Sequence, residues 1–138
     1  MPDEVELTIP ARAELLSLAR MTAAAVATRA GFDYEEIEDL RLAIDELCSR
    51  LLQPEEREPT ASAGTLALRY RWDAGELQVS CQLLGSVPAP TADAERDLSD
   101  RILEALVDAH GTGAADDGAE GVVTHCWLRK RRRASEMA

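Results

Sequence analysis

Cysteine is scarce in the 138-residue chain: Cys48, Cys81 and Cys126 stand singly, far apart in sequence. An odd number with no close pair excludes a disulfide framework and the short ligand spacing of a zinc site. Each lies among apolar residues, so all three are expected to be small core side chains in a reducing cytoplasm. No apolar run approaches the roughly 20 residues that a membrane-spanning helix needs. The opening MPDEVELTIP has neither the basic start nor the apolar stretch of a secretory signal. A soluble cytoplasmic protein without a membrane contact is expected. His110 and His125 are too isolated to argue a metal site, and no Ser-His-Asp or Cys-His arrangement stands out.

The charge that is present is mostly negative. Twenty-six Asp and Glu against 15 Lys and Arg give a net charge of -11. Phosphates would be repelled, so direct nucleic-acid binding is not expected, and a basic protein partner suits the surface better. The run from Arg129 to Arg133 opposes the trend and reads as a solvated basic tail over 129–138. The length fits one domain, 1–138, large enough for a real core.

Periodicity orders the chain. Val5, Leu7 and Ile9 alternate with polar residues as a short strand ending at Pro10. Leu15, Leu18, Ala19, Thr22 and Val26 recur at helical spacing, and Gly31 ends that helix. Asp33 and Glu36 form a capping-box pattern ahead of the stripe Ile37, Leu40, Ile44, Leu47, Cys48 and Leu51. Pro54 closes this second helix, and 55–64 reads as a loop. Leu66, Leu68, Tyr70 and Trp72, then Leu77, Val79, Cys81 and Leu83, alternate as two strands. Asp73-Ala74-Gly75 joins them as a hairpin turn. Residues 85–90 read as irregular. A third helix is expected over 93–109, with Leu98, Ile102, Leu103, Leu106 and Val107 inward. The Gly- and Asp-rich stretch 110–121 reads as a mobile loop with Gly111 as a helix cap, and 122–128 as a last strand. The order β-α-α-β-β-α-β predicts an α+β sandwich, one mostly antiparallel sheet with helices on one face.

The segment from Ile37 to Arg50, IEDLRLAIDELCSR, resembles the second helix of anti-sigma factors of the serine-kinase type, members of the histidine-kinase-like (GHKL) ATPases. Leu7-Thr8-Ile9-Pro10-Ala11 is similar to that family's first strand, and Gly31-Phe32 to its inter-helix turn. Ala105-Leu106-Val107-Asp108 and Leu128-Arg129-Lys130-Arg131 are similar to its late helix and final strand. The likeness is greatest to actinobacterial anti-sigma F factors, on the string Asp45-Glu46-Leu47-Cys48-Ser49-Arg50-Leu51. It implies a Bergerat-type two-layer α/β sandwich.

It also implies a nucleotide site whose positions can be compared residue by residue. Active members carry a Glu and, four residues on, a Mg²⁺-ligating Asn; here these are Glu46, the catalytic residue if the chain is active, and Arg50. A guanidinium has no lone pair to give a metal. An Asp-x-Gly that accepts from adenine is here Leu83-Leu84-Gly85, without the acceptor. A Gly-Leu-Gly that cradles phosphate is here Asp97-Leu98-Ser99, with an added negative charge. On the residues alone, Glu46 and Arg50 suit a helical ion pair. Arg50 contacting phosphates directly is the contrary hypothesis.

The resemblance thus implies an anti-sigma factor that sequesters an alternative, stress or sporulation type sigma factor and is released by an anti-anti-sigma factor. It implies a homodimer formed through the first strand and helix. With a weakened site, neither ATP nor Mg²⁺ is expected as a cofactor. The alternatives are an active serine/threonine kinase that phosphorylates the anti-anti-sigma factor, and an interaction module with a non-sigma partner. Asp3, Glu4, Glu6 and Glu14 are the acids expected near the partner face.

Overall fold

The computed structural model describes residues 3–52, 64–86, 93–113 and 124–133. The described chain runs β1 (Asp3–Pro10), a single 3-10 turn, α1 (Leu16–Arg29), α2 (Tyr34–Ser49), β2 (Thr65–Asp73), β3 (Glu76–Leu84), α3 (Asp93–Leu106), β4 (Ala109–Gly113) and β5 (His125–Arg131). All neighbouring strands are antiparallel, in the order β1-β2-β3-β5-β4. The helices lie on one face, so the fold is the expected α+β sandwich.

The two-residue strand period sets which side chains meet those helices. Leu66, Leu68 and Tyr70 of β2, Leu77, Val79, Cys81 and Leu83 of β3, and Cys126 and Leu128 of β5 are all buried. The Tyr70 hydroxyl donates to the Ala19 carbonyl of α1 at 2.9 Å, which satisfies a buried polar group and ties helix to sheet. Between β2 and β3, Asp73 pairs with Glu76, leaving Ala74-Gly75 as a two-residue turn. Both have positive φ, 43° and 84°, the type I′ geometry whose twist matches the strands.

The start of α2 is fixed as the sequence predicts. The Asp33 carboxylate accepts from the Glu36 amide at 2.8 Å, and the Glu36 carboxylate accepts from the Asp33 amide at 3.0 Å. Leu40, Ile44, Leu47, Cys48 and Leu51 are buried as expected, with Ile37 partly so.

Several expectations are corrected. In α1 the buried face is Leu16, Ala19, Ala23, Val26 and Ala27, whereas Leu18 points outward at 42% exposure. Apolar residues are spread around this helix, so periodicity does not define its inner face; small alanines do, by allowing close approach. In α3, which ends at Leu106, Leu98 is 61% exposed and Ser99 is buried in its place. The start of the expected loop is instead the edge strand β4. Gly111 is not a helix cap: a Cβ there would come 2.5 Å from Nε1 of Trp127, so only glycine lets the indole lie across β4.

The basic run is not a free tail where it is described. Arg129, Lys130 and Arg131 belong to β5, and the Lys130 ammonium donates to the Leu106 carbonyl at the end of α3, 2.7 Å away. Arg133 is held through its backbone N–H by the buried Glu36 carboxylate at 2.8 Å. The expectations for Pro54, most of 55–64, 87–90, 114–121, 122–123 and 134–138 lie outside the described residues.

The three cysteines converge. Cys48 Sγ lies 3.7 Å from Cys81 Sγ, and Cys81 faces Cys126 across β3 and β5. The Cys48 thiol is pushed up by its hydrogen bond with Cys81 and by burial, and burial pushes Cys126 up to about 12. For these two little thiolate, the reactive form, exists near neutrality, and Cys81 is fully buried. Native protein at pH 8 is therefore expected to show no fast-reacting thiol toward a disulfide reagent, and all three cysteines on unfolding in guanidinium. A fast native reaction would contradict the closed core.

Candidate functional site

Of the residues singled out in sequence, Arg50 and Ser99 meet at the junction of α2 and α3. Arg50 follows the last helical residue of α2 in helical conformation (φ -62°, ψ -24°), which directs its side chain across to α3. There Nε donates to Ser99 Oγ at 2.8 Å, and an Nη donates to Asp100 Oδ1 at 2.7 Å. The guanidinium side chain is only 9% exposed and Asp100 is 39% exposed. A cation so shielded needs both a counter-charge and a hydrogen-bond partner, and α3 supplies one of each on adjacent residues. The helical ion pair expected between Arg50 and Glu46 does not form. Arg50 reaches a buried partner instead, and the half-buried Glu46 side chain has no partner among the described residues.

Asp97, Leu98 and Ser99 lie a full turn inside α3, which begins by Asp93. At that depth backbone N–H groups are engaged by carbonyls of the preceding turn, so the segment has no open donors to cradle phosphate. Asp97 is exposed, while Ser99 is 7% exposed and spent on Arg50. Leu83 is buried with its side chain in the core. Gly85 takes φ +77° with open space where a Cβ would stand. Among the described residues no group of three or more His, Cys, Asp or Glu is placed to hold a metal ion.

The four acids assigned to a partner face do not gather at this junction. Glu4 contacts Arg69 at 3.1 Å and Arg71 at 3.6 Å; Glu6 contacts Arg69 at 3.2 Å; Glu14 contacts Arg12 at 3.3 Å. Asp3 borders a separate cavity with Trp72 and Arg132. The residue that sequence reasoning missed is Asp100. Its only signal was its place in the acidic α3 sequence, and its role depends on a contact 50 residues away.

A five-stranded antiparallel sheet bearing three helices on one face, with a polar junction between the second and third, defines a GHKL-type ATPase fold. Residues 9–122 match the histidine kinase-like ATPase domain, and the chain belongs to that family. It is similar to the serine-protein kinase RsbW of Bacillus cereus (strain AH187), 45% identical over 51 residues, covering 37% of this chain and 32% of that protein. The serine-protein kinase RsbW of Bacillus pumilus (strain SAFR-032) is 38% identical over 68 residues, 49% of this chain and 42% of that protein. The matched stretch thus spans about a third to two-fifths of these relatives. No described helix is long and apolar enough to cross a membrane.

Proposed function

We propose that the chain, as one domain over 1–138, is a cytoplasmic anti-sigma factor that works by binding alone. It sequesters an alternative sigma factor, of stress or sporulation type, until an anti-anti-sigma factor displaces it. Family membership and the likeness to RsbW proteins support the partner half of this reading. The observation that carries the other half is Arg50. A guanidinium already paired with Ser99 and Asp100 occupies the residue that the resemblance matches to the family's metal-ligating Asn. It brings positive charge where Mg²⁺ would be needed, and the α3 residues beside it offer no free backbone donors. The residues present do not fit ATP–Mg²⁺. A homodimer suits the outward apolar side of α1, where Leu18 is 42% and Met21 65% exposed, together with β1, an edge strand of the described sheet.

Calorimetry and thermal unfolding with millimolar ATP, with and without Mg²⁺, test the proposal. No binding heat and no rise in Tm are expected, since a ligand stabilises only in proportion to its affinity for the folded state. Mg²⁺-dependent binding would overturn the binding-only reading. Glu46, whose side chain has no partner among the described residues, would then favour the active kinase, with Glu46→Ala abolishing phosphorylation of an anti-anti-sigma protein. Pairwise mixing with purified alternative sigma factors, read by co-elution, tests the partner. Failure of every one to bind would leave an interaction module with a different partner.

A further inference from the structure

The sheet face turned away from the helices carries a groove of about 300 Å³, lined by none of the residues of the α2–α3 junction. Register explains its shape. Arg69, Ser80 and Trp127 lie opposite one another across β2, β3 and β5, and Arg71, Gln78 and Arg129 form the adjacent row. Ser80 and Gln78 are therefore a low floor along β3. Arg69 and Arg71 make one wall, Trp127 and Arg129 the other. The walls stand two strand spacings apart, about 9–10 Å, which admits a single extended chain. Gly111 makes room for the Trp127 indole, since any side chain there would collide with it.

Charge indicates what the groove takes. Three guanidiniums and no carboxylate line it, in a chain whose net charge is -11. Glu4 and Glu6 meet Arg69 from the β1 side, and Glu76 lies 3.9 Å from Arg129 Nε. These acids are not among the lining residues, and each guanidinium has five N–H donors, so donors are left over. Arg129 Nε is itself shielded from solvent and makes no hydrogen bond among the described residues.

We propose that this groove docks an extended acidic segment of a protein partner. Its carboxylates pair with Arg69, Arg71 and Arg129, and its backbone lies over Ser80 and Gln78. Guanidinium and carboxylate match in geometry as well as charge. A nucleic acid suits the site less. Its closely spaced phosphates call for a broader basic footprint, and the acidic body repels them. A second copy would set these arginines against its own.

The test uses the full chain in a Trp72→Phe background, so that Trp127 reports alone, titrated with a short alternating glutamate–serine peptide. A saturable change in emission is expected, with affinity falling at least about tenfold on raising the salt, as charge pairing requires. A similar loss is expected in an Arg69→Gln/Arg129→Gln variant whose far-UV circular dichroism is unchanged. Gln78→Glu, which places a carboxylate on the floor, is expected to abolish the response without touching a wall residue. No saturable change, or an equal response to an alternating lysine–serine peptide, would overturn the proposal. So would tighter binding of a single-stranded oligonucleotide. A wild-type dimer that Arg69→Glu converts to monomer in light scattering would assign the face to a second copy and equally overturn it.

Discussion

Arg50→Ala is expected to lower stability by about 2 kcal/mol and to speed amide exchange throughout α3. The substitution strands the buried Ser99 hydroxyl and leaves Asp100 without its cation. An unsatisfied buried group costs about 1–3 kcal/mol, and the partly exposed Asp100 rehydrates, which keeps the loss toward the middle of that range. Arg50→Lys keeps the charge but not the fork, so it reaches only one of the two acceptors and is expected to fall between wild type and Ala. Hydrogen exchange followed by mass spectrometry distinguishes this local effect from general destabilisation. If Arg50→Ala leaves exchange over 93–106 unchanged, the contact does not hold α3.

Glu36→Ala is expected to be at least as damaging, at about 2–3 kcal/mol. The residue is 2% exposed, and its two carboxylate oxygens serve different parts of the fold: one accepts the Asp33 amide, the other the Arg133 amide. Loss of a cap costs about 1 kcal/mol, and the two partly buried N–H bonds left without an acceptor add to it. Urea unfolding should show a lower midpoint at unchanged slope, with faster exchange at Arg133 and at the first turn of α2. Glu36→Gln keeps acceptor capacity on one side only, so about half the loss is expected. If Glu36→Ala unfolds at the wild-type midpoint, Glu36 does not anchor the chain after β5.

How much of this was legible in the sequence divides by distance along the chain. The capping box at Asp33, the stripe of α2 and the hairpin turn at Asp73-Ala74-Gly75 depend on residues a few positions apart, and local patterning displays them. Alternation in β1, β2 and β3 likewise gave the sheet's inner face. What escaped depends on contacts between distant segments. β4 is built on Gly111 and Gly113, poor strand formers, and becomes a strand because β5 offers a ladder and Trp127 needs the space. Arg50 was read against Glu46, its neighbour on the helix, while its partners lie about 50 residues on. Glu4 and Glu6 read as acids of a partner face, and their pairing with Arg69 and Arg71 was not legible because strand pairing alone brings those arginines beside them. For the candidate site, the positions were legible and their occupancy by an internal ion pair was not.

The placement of β1 has a consequence during synthesis. Its ladder partner is β2, between 55 residues downstream (Pro10 with Thr65) and 69 (Asp3 with Trp72). A ribosome adding about 5–20 residues per second leaves this strand without its partner for several seconds, while α1 and α2 are already emerging. An unpaired strand bearing Val5, Leu7 and Ile9 on one face would readily add to a neighbouring nascent chain. Asp3, Glu4 and Glu6 place like charges along that segment, and Pro10 removes a donor at its end, so two such strands repel before they can zip. Glu4 and Glu6, which later grip arginines in the finished sheet, first serve with Asp3 as guards against aggregation.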